Sequence, residues 1–239
     1  MHGKVEIKPS VNDWRVRGWR QMTPVHHMWK MKQKNIIEAP MGEKTVLLHT
    51  CCAPCSSAII EAMLANGITP VIYYCNPNIY PQDEYEIRKN ECTRYAQSLG
   101  LEIVDADYDH ENWLEAVRGL EAEPERGGRC LKCFKLRLLR TAEYAASRGI
   151  KVITTTLASS RWKSLDQINE AGQWACEKHE KELTDTAEQN IIPPANTVRW
   201  WDQNWRKGGL QERRLQIIKE YDFYNQLYCG CEFSMRKED

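Results

Sequence analysis

Ten cysteines in 239 residues, seven of them in short groups, are the chemistry this sequence offers first. The groups are Cys51-Cys52-x-x-Cys55, Cys130-x-x-Cys133 and Cys229-x-Cys231. A Cys-x-x-Cys pair that opens a helix sets its sulfurs near the positive end of the helix dipole. That lowers the thiol pKa and favours a metal-bound thiolate. Cys130-Leu131-Lys132-Cys133 has this arrangement, with Arg129, Lys132 and Lys135 adding positive charge. Four thiolates from two such groups suit a 4Fe–4S cluster or a zinc ion. Cys229 and Cys231 flank a glycine and read as a mobile redox pair, with metal ligation as the rival. Cys75, Cys92 and Cys176 stand alone and read as small buried apolar side chains.

Polar residues gather at other strand ends. Tyr74-Cys75-Asn76-Pro77-Asn78-Ile79-Tyr80-Pro81 is a turn forced by its prolines and asparagines, so Asn76 and Asn78 are candidate substrate contacts. Arg88 lies on the helix that follows. Thr154-Thr155-Thr156, Ser159-Ser160 and Lys163 offer hydroxyls and a cation in the same way. Trp200, Trp201 and Trp205, interleaved with Arg199, Arg206 and Lys207, suit stacking on unpaired bases.

The elements that would hold these residues alternate. Strands are expected at Thr45–His49, Pro70–Cys75, Leu101–Asp105 and Ile150–Thr155. Helices are expected from the first cysteine group to about Asn66, then Pro81–Ser98, Glu111–Leu120, Cys130–Ser147, Ser164 to about Lys181, and Leu210 to about Tyr228. The segment 190–209 reads as irregular. Such alternation implies an α/β fold, a parallel sheet with helices on both faces. Ligands in these sheets sit beyond the carboxyl ends of the strands. The loop after the first strand has no glycine and three cysteines, so a phosphate cradle is a poor fit and metal or sulfur chemistry a better one.

Residues 1–43 read as an N-terminal extension, flexible or draped on the surface, with Trp14, Trp19 and Trp29 and an excess of Lys and Arg. Residues 44–239 read as a single α/β catalytic domain with irregular C-terminal elements. The 33 basic and 33 acidic residues cancel, which argues against nucleic-acid binding by bulk charge but leaves room for a local basic patch. No run approaches the roughly 20 apolar residues of a membrane span. No membrane contact and a cytoplasmic location are therefore expected, where clustered cysteines serve metal or redox chemistry.

His49-Thr-Cys-Cys-Ala-Pro-Cys-Ser56, Asn76-Pro-Asn-Ile79 with Glu84-Tyr85 and Arg88, Arg129-Cys-x-x-Cys133 with Arg137-Leu138, Thr154-Thr-Thr-Leu157 with Lys163, and Tyr228-Cys-Gly-Cys231 with Ser234 together resemble the QueH family of epoxyqueuosine reductases. The sequence departs from the expected form near Arg161-Trp162-Lys163 and Tyr224-Asn225-Gln226. The resemblance implies a fold related to the adenine-nucleotide hydrolase-like (HUP) group. It implies a 4Fe–4S cluster, with room for an additional mononuclear iron and no use of cobalamin or ATP. Cys51, Cys52, Cys130 and Cys133 would ligate iron, and Cys229 with Cys231 would form a redox-active disulfide. The activity would be reduction of epoxyqueuosine to queuosine at the wobble position of tRNA, the last step of queuosine biosynthesis, with a separate electron donor. Tyr228, Tyr80 or His49 would protonate the leaving oxygen. Two other classes fit part of the pattern: a thiol–disulfide oxidoreductase built on Cys52-Ala-Pro-Cys55, and a zinc-stabilised RNA-binding module without catalysis.

Overall fold

Apolar β-branched runs ended by helix-forming segments build one five-stranded parallel sheet. The structure is a computed structural model that describes residues 36–187 and 197–235. The expected N-terminal extension, with Trp14, Trp19 and Trp29, lies outside the described residues as far as position 35. Its final residues join the core: Ala39 is buried, and the Ile37 N–H donates to Asn66 Oδ1 at 3.3 Å.

The strands are β1 (Thr45–His49), β2 (Thr69–Tyr74), β3 (Ile103–Asp105), β4 (Val152–Thr155) and β5 (Arg199–Trp200). Their order is β3-β2-β1-β4-β5, every pair parallel, with Leu47 facing Val71 on one side and Ile153 on the other. β1 and β4 are covered on both faces, which is why Val46-Leu47-Leu48 and Val152-Ile153 are continuous apolar runs.

The helices are α1 (Ala53–Ala65), α2 (Gln82–Ser98), α3 (His110–Val117), α4 (Gly128–Ser147), α5 (Leu165–Ala187) and α6 (Leu210–Tyr221). The chain steps outward from β1 to β3, then returns to the other side of β1 for β4 and β5. Right-handed crossovers therefore place α1 and α2 on one face and α4 and α5 on the other. α1 packs against α6, and α4 against α5. Gly67 takes a φ of +72° just past α1, the left-handed turn that ends a helix without a Cβ clash.

Three expectations need correction. The segment containing Arg199 and Trp200 is not wholly irregular: these two residues form β5 beside Val152 and Ile153. The last helix stops at Tyr221, not near Tyr228, because Asp222 turns left-handed at φ +51° and the Phe223 N–H closes on the Ile218 carbonyl. The three late tryptophans do not present a stacking surface. Trp205 is fully buried with Nε1 donating to Thr154 Oγ1, Trp201 packs edge-on against it, and Trp200 covers Gly172. Cys75, Cys92 and Cys176 are buried, as expected.

The Trp200–Gly172 contact is testable. A Cβ at 172 would lie 2.2 Å from the Trp200 ring. Gly172→Ala gains up to about 1 kcal/mol of helix propensity but loses roughly 1–3 kcal/mol to overpacking. A net loss of stability is expected, read as a lower urea midpoint with an unchanged m-value.

Candidate active site

The sheet order reverses between β1 and β4, where an open α/β sheet forms its ligand crevice. The first cysteine group falls at that point. β1 delivers Cys51 next to the end of β4: the Cys51 N–H donates to Thr156 Oγ1 at 3.2 Å, and that hydroxyl donates to Cys51 Sγ at 3.4 Å. Cys52 is the extended N-cap of α1, and Pro54 sits in the first turn, where its missing N–H costs no helical bond. The turn then brings Cys55 back over its start, so that the sulfurs of Cys51, Cys52 and Cys55 all lie within 4.8 Å of one another. Cys51 Sγ and Cys52 Sγ are 3.9 Å apart. Hydrogen bonds with the thiols of Cys52 and Cys55, and then Thr156 and Arg137, hold the Cys51 thiol well below the usual range despite burial.

α4 supplies the second group. Cys130 and Cys133 occupy its first turns, as expected, with the Arg126 N–H donating to Cys130 Sγ at 3.3 Å and Arg137 reaching Cys133 Sγ at 3.9 Å. Burial raises the Cys130 thiol. The C-terminal segment supplies the third. The Tyr80 N–H donates to the Gly230 carbonyl, and the Arg88 guanidinium donates to the carbonyls of Cys229 and Tyr228. Cys51, Cys55, Cys130, Cys133, Cys229 and Cys231 all line one cavity of about 440 Å³.

The cavity wall is strongly basic. Among the described residues of the lining, Arg88, Arg126, Arg129, Arg137, Arg161, Lys163 and Arg214 face one carboxylate, Glu125. This is the local patch that a net charge of zero leaves possible. Lys163 is held above its usual range: burial opposes its charge, but the thiolates of Cys229 and Cys51 outweigh it. Burial raises the Cys229 thiol, yet Lys163, the Ser234 hydroxyl and the Cys231 N–H together bring it below the usual range. Cys231 goes the other way, to about 12, because it is buried and faces the charge of Cys229.

The predicted substrate contacts divide. Asn78 and Lys163 line the cavity, and Asn78 Oδ1 is buried without a hydrogen-bond partner. Asn76 is outside that lining: it donates to the Thr50 carbonyl and accepts from Arg137, so it ties β1 to α4. Arg88 lines the cavity, but its guanidinium is committed to Glu84 and to the C-terminal carbonyls. Two further residues join the site from outside the expected ligand set. Cys55 is the third thiol of the first group, spaced one helical turn from Cys51, and its sulfur lies with those of Cys51 and Cys52 within 4.8 Å. Gln226 donates to Cys52 Sγ at 2.9 Å from a segment expected to be helical.

His49 is not on the cavity lining. It is fully buried between Thr155 Oγ1 and the Cys75 carbonyl, and burial with the nearby Arg137 charge lowers its pKa to about 3. An unfolded histidine titrates near pH 6.5, so between pH 6.5 and 3 the unfolded chain takes up a proton that the folded one refuses. Stability present above pH 6.5 should therefore fall as the pH drops through this window. Urea midpoints at pH 7 and pH 5 should differ less in His49→Gln than in the parent.

A parallel α/β sheet with thiols, not a glycine-rich phosphate loop, at its switch point offers a site for sulfur or sulfur-bound metal chemistry, and the relatives of this chain are oxidoreductases. The family model described as "Epoxyqueuosine reductase QueH" matches residues 46–237. The chain is 46% identical over 200 residues to the epoxyqueuosine reductase QueH of Haemophilus influenzae, covering 84% of this chain and 75% of that protein. It is 42% identical over 200 residues to that of Acinetobacter baylyi, covering 84% of each. To that of Thermotoga maritima it is 32% identical over 195 residues, covering 80% of this chain and 90% of that protein. This chain belongs to the QueH family.

Proposed function

We propose that the protein reduces epoxyqueuosine to queuosine in tRNA, as the names of its relatives state for the reductase activity. The observation that carries the reading is the convergence of six thiols from three distant segments on one basic cavity. The reaction converts an epoxide to an alkene with two electrons and two protons, and the oxygen leaves as water.

The donor set fits iron. Cys51, Cys52 and Cys55 offer three soft sulfur atoms within 4.8 Å, the Cys51 thiol lowered well below its usual range, and among the described residues no histidine or carboxylate joins them. Cys51, Cys52, Cys130 and Cys133 would hold a 4Fe–4S cluster, leaving Cys55 for an additional iron. When bound, such a cluster supplies electrons one at a time. The chain does the rest. Asn78 Oδ1 accepts from a substrate hydroxyl or amine. Lys163 and its neighbouring cations hold RNA phosphate against the cavity mouth. Of the three proposed proton donors, Tyr228 is the one that lines the cavity; burial raises its pKa, and its hydroxyl donates to the Tyr80 carbonyl, the bond it would exchange for the leaving oxygen. Cys229 and Cys231 act as the redox pair, one thiolate-poised and one held as thiol.

Among the described residues no helix is long and apolar enough to cross a membrane. A tRNA is the partner, and a separate reductant completes the cycle in the cytoplasm. The test is anaerobic purification followed by a visible spectrum and nucleoside analysis of epoxyqueuosine-bearing tRNA. A brown protein that bleaches on reduction and yields queuosine is expected. A colourless, zinc-loaded protein without turnover would leave only RNA binding, and a colourless dithiol enzyme would point to thiol–disulfide exchange.

A further inference from the structure

Trp162 is the most exposed of the tryptophans whose exposure is described, 77% in solvent, and it lines the mouth of the thiol cavity. The turn that carries it is strapped in place. The Arg126 guanidinium donates to the carbonyls of both Arg161 and Trp162, and Gln167 in turn holds the Arg126 carbonyl. The Trp162 N–H is tied to Ser160 Oγ, and Arg206 donates to the Lys163 carbonyl. A large apolar ring is thus presented to water by a braced loop. Leu227, 94% exposed, is a second bare apolar side chain on the lining of the same cavity.

The surroundings point to the occupant. Arg161 and Lys163 flank the ring in sequence, and Arg126 crosses beneath its loop. Burial and then repulsion from Arg126 lower the pKa of Arg206, with Asp166 offsetting part of that, which shows how close these cations lie. A rigid aromatic face beside a rim where cations outnumber carboxylates matches the repeating unit of single-stranded RNA, a flat base between two phosphates. An apolar protein partner would not need the cations, and an acidic one would not need the ring.

We propose that Trp162 is the stacking platform for an unpaired base beside the reacting nucleotide, with Arg161 and Lys163 taking the flanking phosphates. This rests on the RNA substrate argued above. The platform fixes the register of the loop, so that one nucleotide enters the cavity while its neighbour stays outside on the ring.

The test is binding of a labelled, unmodified anticodon stem-loop transcript to the full chain at several salt concentrations. Trp162→Ala is expected to weaken binding roughly 10-fold at every salt, and Trp162→Phe to restore most of it, as base–aromatic stacking predicts. The slope of log K against log salt should be unchanged in both. Arg161→Gln should instead flatten that slope by about 0.7, one phosphate contact on a single strand. Parent-like affinity in Trp162→Ala would overturn the platform while leaving the RNA substrate standing. A flattened salt slope in Trp162→Ala would overturn it too, because the cation rim and not stacking would have been lost. Failure of the unaltered protein to bind the transcript would overturn the RNA substrate itself, and the platform with it.

Discussion

Cys55→Ala is expected to lower bound iron and stop turnover, although the motif resemblance places only Cys51, Cys52, Cys130 and Cys133 on the metal. The reason is geometric. The first turn of α1 folds Cys55 back until its sulfur joins those of Cys51 and Cys52 within 4.8 Å. A third thiol there is no ordinary buried cysteine: Cys55 lines the cavity and is pushed up to about 12, chiefly because it donates its proton toward Cys51. Replacing the donor by a metal bond removes that proton and fixes the sulfur. The loss should exceed that in Gln226→Ala, which only removes a hydrogen bond to the Cys52 sulfur. Changes of that kind cost about 10–100-fold in metal affinity or activity. The measurements are iron and acid-labile sulfide per chain after anaerobic purification, the visible spectrum, and queuosine formed. Full iron content and parent turnover in Cys55→Ala would confine the metal to the four motif cysteines.

The sheet was legible because each central strand carries an apolar run and each main helix a clear stop. β5 was not, since two residues between irregular segments leave no periodicity to detect. The end of α6 was hidden for a chemical reason: Asp222 makes the left-handed turn that glycine usually signals, so the helical pattern seemed to continue. The thiols could be found individually, because cysteine chemistry is local and their spacing within each group is readable. Their assembly could not be read, since it depends on Arg88 and Arg137 linking segments far apart in sequence. The late tryptophans misled for a related reason. Aromatics beside cations look like an RNA surface in a sequence, but burial belongs to the fold, and Thr154 and Gly172 had already claimed those rings. Trp162, between two cations of its own, carried the same local signal and is the ring left in solvent.

Cys229→Ser and Cys231→Ser are each expected to keep the iron and its spectrum but to stop after roughly a single turnover per chain, as loss of a redox-cycling pair requires. The pair is held by its neighbours. Gly230 takes a φ of +104°, and a Cβ there would fall 2.8 Å from Ile79 Cγ1 and 3.1 Å from an Arg88 nitrogen. The short link between the cysteines is therefore pinned against the turn after β2, with both sulfurs on the cavity wall. Their protonation is unequal: Cys229 lies below the usual thiol range and Cys231 near 12. Unequal thiols suit a dithiol that gives up two electrons and two protons and closes to a disulfide, which an external dithiol then reopens. Alkylation followed by mass spectrometry, on samples stopped during turnover, should show this pair changing state while Cys75, Cys92 and Cys176 do not. The first turnover should survive in Cys229→Ser when the protein is chemically reduced beforehand. Should both serine variants lose iron together, the pair belongs to the metal centre and has no separate redox role.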